Sequence, residues 1–177
     1  ADAIFRRDRI YFRTNRDAPN WKLMAASYAN PEYADWTTLV PEGSTVMDDV
    51  AVTRAAIVVR EHADVVSRLV LHGLDGARQR ELEPPVFGSV VDLDYDLGAD
   101  TPYAALASHT APSSLYALAA PAFAWKQVWQ DETPFDTSAF VSKRVYVTAK
   151  DGAKIPVFIV HRKDAVQNGA NPTLLAA

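Results

Sequence analysis

Residues 50–61 read Val-Ala-Val-Thr-Arg-Ala-Ala-Ile-Val-Val-Arg-Glu, and the class of the molecule turns on whether this run is helix or strand. Ala, Arg and Glu permit a helix over 51–63. The Val and Ile residues, stiff at χ1 and suited to a pleated surface, favour strand. Their surroundings decide between the two. Upstream, residues 9–15, 21–28 and 35–40 are short strand-forming runs broken by Asp17-Ala18-Pro19-Asn20 and Asn30-Pro31, both of turn composition. Downstream, residues 67–74 and 78–82 flank Asp75-Gly76 and end at Pro84-Pro85. A third round covers 89–95, 103–108, 114–119 and 125–130, with breaks at Gly98 and Ala111-Pro112.

The rounds can be superposed. Tyr11-Phe12-Arg13-Thr14 matches Val58-Val59-Arg60-Glu61 and Ala105-Leu106-Ala107-Ser108. Lys22-Leu23-Met24-Ala25 then matches Arg68-Leu69-Val70-Leu71 and Ser114-Leu115-Tyr116-Ala117, and residues 36–41, 79–84 and 126–131 close each round. The period of about 40 to 47 residues is that of four-stranded propeller blades, and its register requires residues 50–61 to be strand. The expected fold is all-β: about three consecutive four-stranded antiparallel blades over residues 1–132, forming an incomplete propeller, followed by a β-hairpin. Blades bury both faces against neighbours, so two blade faces are left for further blades or an oligomer to cover.

The hairpin lies in residues 145–161, Val-Tyr-Val-Thr-Ala-Lys-Asp-Gly-Ala-Lys-Ile-Pro-Val-Phe-Ile-Val-His. Two β-rich runs flank Lys150-Asp151-Gly152, and Asp-Gly in that setting signals a tight antiparallel turn. After it, residues 163–171 are polar, and Pro172-Thr173-Leu174-Leu175 opens an apolar run that ends at Ala177, as expected of a chain cut inside a strand.

Composition narrows the partners. A hydrophobic share of 49% supports one sizeable core. The net charge of -4, with Lys and Arg scattered, gives no footprint for nucleic acid or membrane. Absence of cysteine excludes disulfides and thiolate chemistry and leaves the redox compartment open. A cytoplasmic location is expected, with a periplasmic one as the alternative.

Several side-chain groups carry two readings. Asp92, Asp94 and Asp96 before Gly98 resemble a calcium loop, but the Gly falls one position late and the twelfth residue is Tyr103 rather than Glu, which favours solvated acids at a strand end. His62, His72, His109 and His161 lack ligand spacing. His62 and His109 occupy matching repeat positions just past the second strand, suited to a blade-edge hydrogen bond or to a tunnel wall. Trp21, Trp36, Trp125 and Trp129 are expected to fill gaps between blades rather than stack on a ligand. Arg60, Glu61 and Arg68 read as rim charges, or as a charged wall that steers peptides. No metal or cofactor is expected.

The sequence resembles the prolyl oligopeptidases among the α/β-hydrolase serine peptidases. The resemblance rests on Tyr11-Phe12-Arg13-Thr14-Asn15 with Ala18-Pro19-Asn20, on Leu39-Val40-Pro41-Glu42, on Gly88-Ser89-Val90-Val91, and above all on residues 150–163 with Asn171-Pro172-Thr173-Leu174-Leu175. The related oligopeptidase B group fits less well around the hairpin. The resemblance implies a seven-bladed propeller capping a hydrolase domain and admitting only short peptides, which are cut after proline. Residues 1–132 would then be its last blades, and 133–177 a linker and the first hydrolase strands. The remaining blades, the hydrolase domain and short peptides would be the partners. The family's nucleophilic Ser needs a sharp strand-to-helix elbow, and no Gly-x-Ser-x-Gly occurs here. No catalytic residue of the family can therefore be placed on the chain, which is expected to be inert alone. A propeller-like binding module without catalysis is the alternative.

Overall fold

In the computed structural model, which describes residues 1–63 and 65–176, strands and short turns account for the chain, with only two single-turn 3-10 helices, Tyr33–Asp35 and Thr137–Ala139, among the described residues. The first sheet holds β1 (Asp2–Phe5), β2 (Ile10–Thr14), β3 (Lys22–Ala26) and β4 (Thr37–Val40). The second holds β5 (Val46–Val52), β6 (Ile57–Ala63), β7 (Val66–His72) and β8 (Arg78–Leu82). The third holds β9 (Ser89–Asp96), β10 (Thr101–Ala107), β11 (Ser114–Ala117) and β12 (Lys126–Gln130). In each, every strand pairs antiparallel with the next in sequence. Three such meanders in succession are the blade architecture that the repeat predicts, and the sheets do not close into a ring.

The deciding run is strand on both sides of a turn at Thr53. The Thr53 hydroxyl accepts from Ala55 N at 3.1 Å and Ala56 N at 2.9 Å and donates to Ala56 O, folding β5 back onto β6. The unbroken apolar character around it has a packing cause. Successive side chains of a strand point to opposite faces, and Ile57, Val58 and Val59 are each fully buried. Ile57 and Val59 join Val50 and Val52 against Tyr11, Leu23 and Val40 of the first sheet. Val58 joins Leu69, Leu71 and Leu82 against Val90, Leu93, Leu106 and Leu118 of the third. A middle blade has no solvent face, so its strands lose the alternation that marks a half-buried sheet.

Several boundaries differ from the sequence reading, β5 beginning at Val46 rather than at residue 50. The first round gains β1, a four-residue strand of mostly exposed side chains paired to β2, too short to register as a strand by pattern. The hairpin extends to β13 (Phe140–Thr148) and β14 (Lys154–Arg162), paired from Phe140↔Arg162 to Thr148↔Lys154. Its loop is Lys150-Asp151-Gly152, closed by Ala149 N on Ala153 O at 2.8 Å, with Gly152 at φ 88. A positive φ at the third loop position is the three-residue hairpin in which glycine carries the bulge. Gly76 in the β7–β8 turn, at φ 86, lies where a Cβ would meet Leu39 O at 2.0 Å, so this turn seats a blade-two loop on the blade-one backbone.

Candidate functional site

Phe158 of β14 decides where the hairpin sits. Its ring centroid lies 5.1 Å from that of His109 and 6.3 Å from that of Phe87. Phe87 belongs to the β8–β9 connection and His109 to the β10–β11 connection, so Phe158 is held at one loop end of the third sheet. Beside it Val65, Val66, Gly88, Ser89 and Ala107 enclose a cavity of about 200 Å³. Ser108 donates from Oγ to Phe87 O at 2.8 Å, tying the two connections together. The floor needs small residues: at Gly88 a Cβ would meet Ala107 O at 2.4 Å. Tilted aromatic contacts of this kind contribute about 0.5–1.5 kcal/mol beyond their buried area. The result is a seat for the hairpin, with no nucleophile and base paired within it.

The inner strands carry a second, charged arrangement. Arg13 donates from Nε to Asp2 of β1 at 2.9 Å and from Nη1 to Asp48 O of β5 at 2.6 Å. Arg60 pairs through Nη2 with Asp48 at 3.1 Å and donates to Val91 O of β9. Each arginine thus binds an acid of its own sheet and a backbone carbonyl of the next. Arg60 is 13% exposed at its side chain, which corrects its reading as a rim charge: β6 is interior to the blade stack, and the guanidinium bridges rather than borders it. Arg68 is more exposed and pairs with both Glu61 and Glu81. Asp49, next to this line, accepts from Val50 N at 2.7 Å. Burial pushes its carboxyl above the ordinary range, opposed by that hydrogen bond, Arg60 and Arg13, and aided by Asp92.

The other singled-out residues are dispersed. His62 Nδ1 lies 3.1 Å from Ser67 Oγ across β6–β7, inside the strand rather than past it, because β6 runs to Ala63. His72 Nδ1 meets Gly76 O at 3.0 Å, and His161 Nδ1 meets Arg162 O at 2.7 Å. Trp21, under the Arg13 guanidinium at 4.2 Å, packs on the first inter-sheet core, and Trp125, edge-on to Tyr116, packs on the second. Trp36 instead stacks on Phe12 at 3.6 Å, on the face of the first sheet turned away from the second, and Trp129 on β12 is 55% exposed. Asp92 and Asp94 each accept from the next backbone N–H, and Asp96 caps the β9–β10 turn through Gly98 N and Ala99 N. Alternate residues of an extended strand cannot wrap an ion as a loop does. Sequence reasoning missed Phe87 and Phe158 as a pair. The available signal was an aromatic two residues after Pro84-Pro85, in a connection that otherwise needs none.

Comparison with known proteins agrees with this architecture. Residues 2–127 match the family described as prolyl oligopeptidase, N-terminal β-propeller domain. The chain is 22% identical over 168 residues to a prolyl endopeptidase of Elizabethkingia meningoseptica, covering 95% of this chain and 24% of that protein. It is 30% identical over 176 residues to dipeptidyl aminopeptidase BI of Pseudoxanthomonas mexicana, covering 94% and 24%. Among solved structures, one from a mechanistic study of two prolyl endopeptidases superposes with a TM-score of 0.77 at 26% identity, over 92% of this chain and 24% of that one. Prolyl oligopeptidase B of Galerina marginata also gives 0.77, at 20% identity, and so shares the fold, over 93% and 24%. The chain spans about a quarter of the length of these relatives. A repeat of four-stranded blades, with a family match over both inter-sheet cores, places the chain in the prolyl oligopeptidase family, through its N-terminal β-propeller domain.

Proposed function

We propose that the chain is the propeller part, and the lead into the catalytic part, of a cytoplasmic serine peptidase that hydrolyses short proline-containing peptides, with the blades restricting access to the catalytic centre. The observation that carries this reading is the seat of Phe158 between Phe87 and His109. It fixes the hairpin on one loop face of the blades, where a following hydrolase domain would dock with the remaining blades around it. Residues 1–132 would be the last blades and 133–177 the linker and first hydrolase strands. Two continuous inter-sheet cores make the blades stiff, as a filter for peptide length requires. The catalytic Ser, His and Asp would come from outside these residues, since the sequence lacks the nucleophile elbow.

The test is turnover of proline-directed fluorogenic peptides by a longer protein carrying this chain, with and without Phe158→Ala. Hydrolysis abolished by a serine-reactive phosphonate, together with a rise in cleavage of long over short peptides in the variant, supports the reading. An unchanged ratio removes the filtering role. Turnover by the 177-residue chain alone overturns the assignment of catalysis elsewhere. The 30% identity to a dipeptidyl aminopeptidase supports a second specificity, release of dipeptides from a free N-terminus, and blocking the substrate amine separates the two.

A further inference from the structure

At the loop end opposite the hairpin lies a cavity of about 580 Å³ between the turns β1–β2, β5–β6 and β9–β10, within the size range of small-molecule sites. Strand β9 separates the two ends: it starts at Ser89 beside Phe158 and ends at Asp96 below this cavity, about 25 Å away at the usual rise per residue. The lining combines three arginines with apolar residues. Arg6 is fixed in place, donating from Nε to Val52 O at 2.6 Å with its guanidinium 4.3 Å over the Tyr95 ring, and so bridges all three sheets. Arg7 and Arg54 also line the cavity, are exposed, and form no ion pair among the described residues. Asp8, the acid of the lining, is bonded to Arg9 at 2.9 Å. Asp100 nearby is taken up by Arg54 N and the Tyr95 hydroxyl. Among the apolar lining residues Phe5 is 61% exposed and Leu97 64%.

Exposed apolar walls beside two unpaired guanidinium groups fit a ligand with both characters, and a guanidinium fork matches a carboxylate with two parallel hydrogen bonds. In a chain of net charge -4, this concentration of arginine is a local reversal of sign that draws anions to this face. We propose that the cavity binds the C-terminal carboxylate of a peptide ending in a bulky apolar residue, with Arg7 and Arg54 taking the carboxylate and Phe5 and Leu97 the side chain. The choice of a peptide over other apolar carboxylates rests on the peptidase reading, whereas the site itself rests on its residues.

The experiment is titration of the 177-residue chain, followed by backbone amide shifts, with acetyl-Ala-Ala-Phe carrying a free carboxylate, with its C-terminal amide, and with 3-phenylpropionate. The free acid is expected to shift the amides of Arg54 and Asp100 and to bind about tenfold tighter than the amide, the value of one good charged contact. Arg7→Gln with Arg54→Gln is expected to erase that difference, and Arg162→Gln, at the far end, to preserve it. Equal binding of acid and amide, or no shift with any probe, overturns the proposal. Phenylpropionate binding as tightly as the peptide overturns the peptide assignment. These readouts involve no turnover, so their failure is distinct from failure of the peptidase reading.

Discussion

Arg13 and Arg60 stand one repeat apart, and each joins an acid of its own sheet to a backbone carbonyl of the next: Asp2 and Asp48 O for Arg13, Asp48 and Val91 O for Arg60. At the equivalent position the third sheet has Ala107, opposite Ser89, so the relay stops there and the Phe158 seat takes its place.

Because the Arg60 guanidinium is almost enclosed, hydrogen bonds to it are charge-assisted and its removal leaves Asp48 without its ion pair. Arg60→Met is expected to lower the unfolding free energy by about 2–3 kcal/mol. Arg78→Met, whose ion pair to Glu81 spans 4.0 Å at a half-exposed site, is expected to stay within about 0.5 kcal/mol. Urea midpoints at constant slope check both. Equal losses would return Arg60 to the rim.

Leu69 is fully buried in the core between the second and third sheets. Leu69→Ala should cost about 2–5 kcal/mol by lost transfer energy and the cavity left behind. Leu174, 93% exposed, should tolerate the same change within about 0.5 kcal/mol. Thermal unfolding of the two variants separates a blade-to-blade core from a loose stack of sheets, in which the losses would be alike.

The repeat was legible because its cause is local. Turn residues such as Asp75-Gly76 and Asp151-Gly152 report on their own backbone, and strand-formers between them report on burial. The split of residues 50–61 at Thr53 was not, since the hydroxyl that makes the turn sits in a run kept apolar by two neighbouring sheets. Arg60 shows the same limit. Its match to Arg13 was visible in the repeat, but a guanidinium in a strand reads as exposed until the sheet that encloses it is known. Phe158 depends on two connections distant in sequence, and no pattern within the hairpin points to them.

Gly76 and Gly169 share a left-handed backbone, φ 86 and 83, and differ in their surroundings. Gly169→Ala meets nothing within 4 Å, so it should cost only the backbone preference, about 1–2 kcal/mol. Gly76→Ala adds a Cβ at 2.0 Å from Leu39 O, and relief requires moving backbone, for a total of roughly 3–4 kcal/mol. Calorimetry of both variants isolates the contact between the β7–β8 turn and β4. A Gly76→Ala protein no less stable than Gly169→Ala would show that this contact is absent in solution.

Asp49 makes the stability of the blade stack depend on acidity with an unusual sign. Most native carboxylates are stabilised by partners and lose stability as the pH falls. At Asp49 burial outweighs the Val50 N–H, Arg60 and Arg13, and Asp92 adds repulsion, so the folded carboxyl titrates above the ordinary value. The unfolded chain therefore releases this proton first. Its contribution to stability is complete below the unfolded value and is lost as the pH rises through the raised folded one. Asp49→Asn, which cannot ionise, is expected to gain stability relative to the parent chain as the pH rises above the unfolded carboxyl value, with the gain levelling off once Asp49 is fully charged. Urea titrations of both proteins across this range give the difference directly, free of the other carboxylates that titrate in each. A difference that shrinks as the pH rises would mean that Arg13 and Arg60 outweigh burial, and that Asp49 is a working member of the arginine relay.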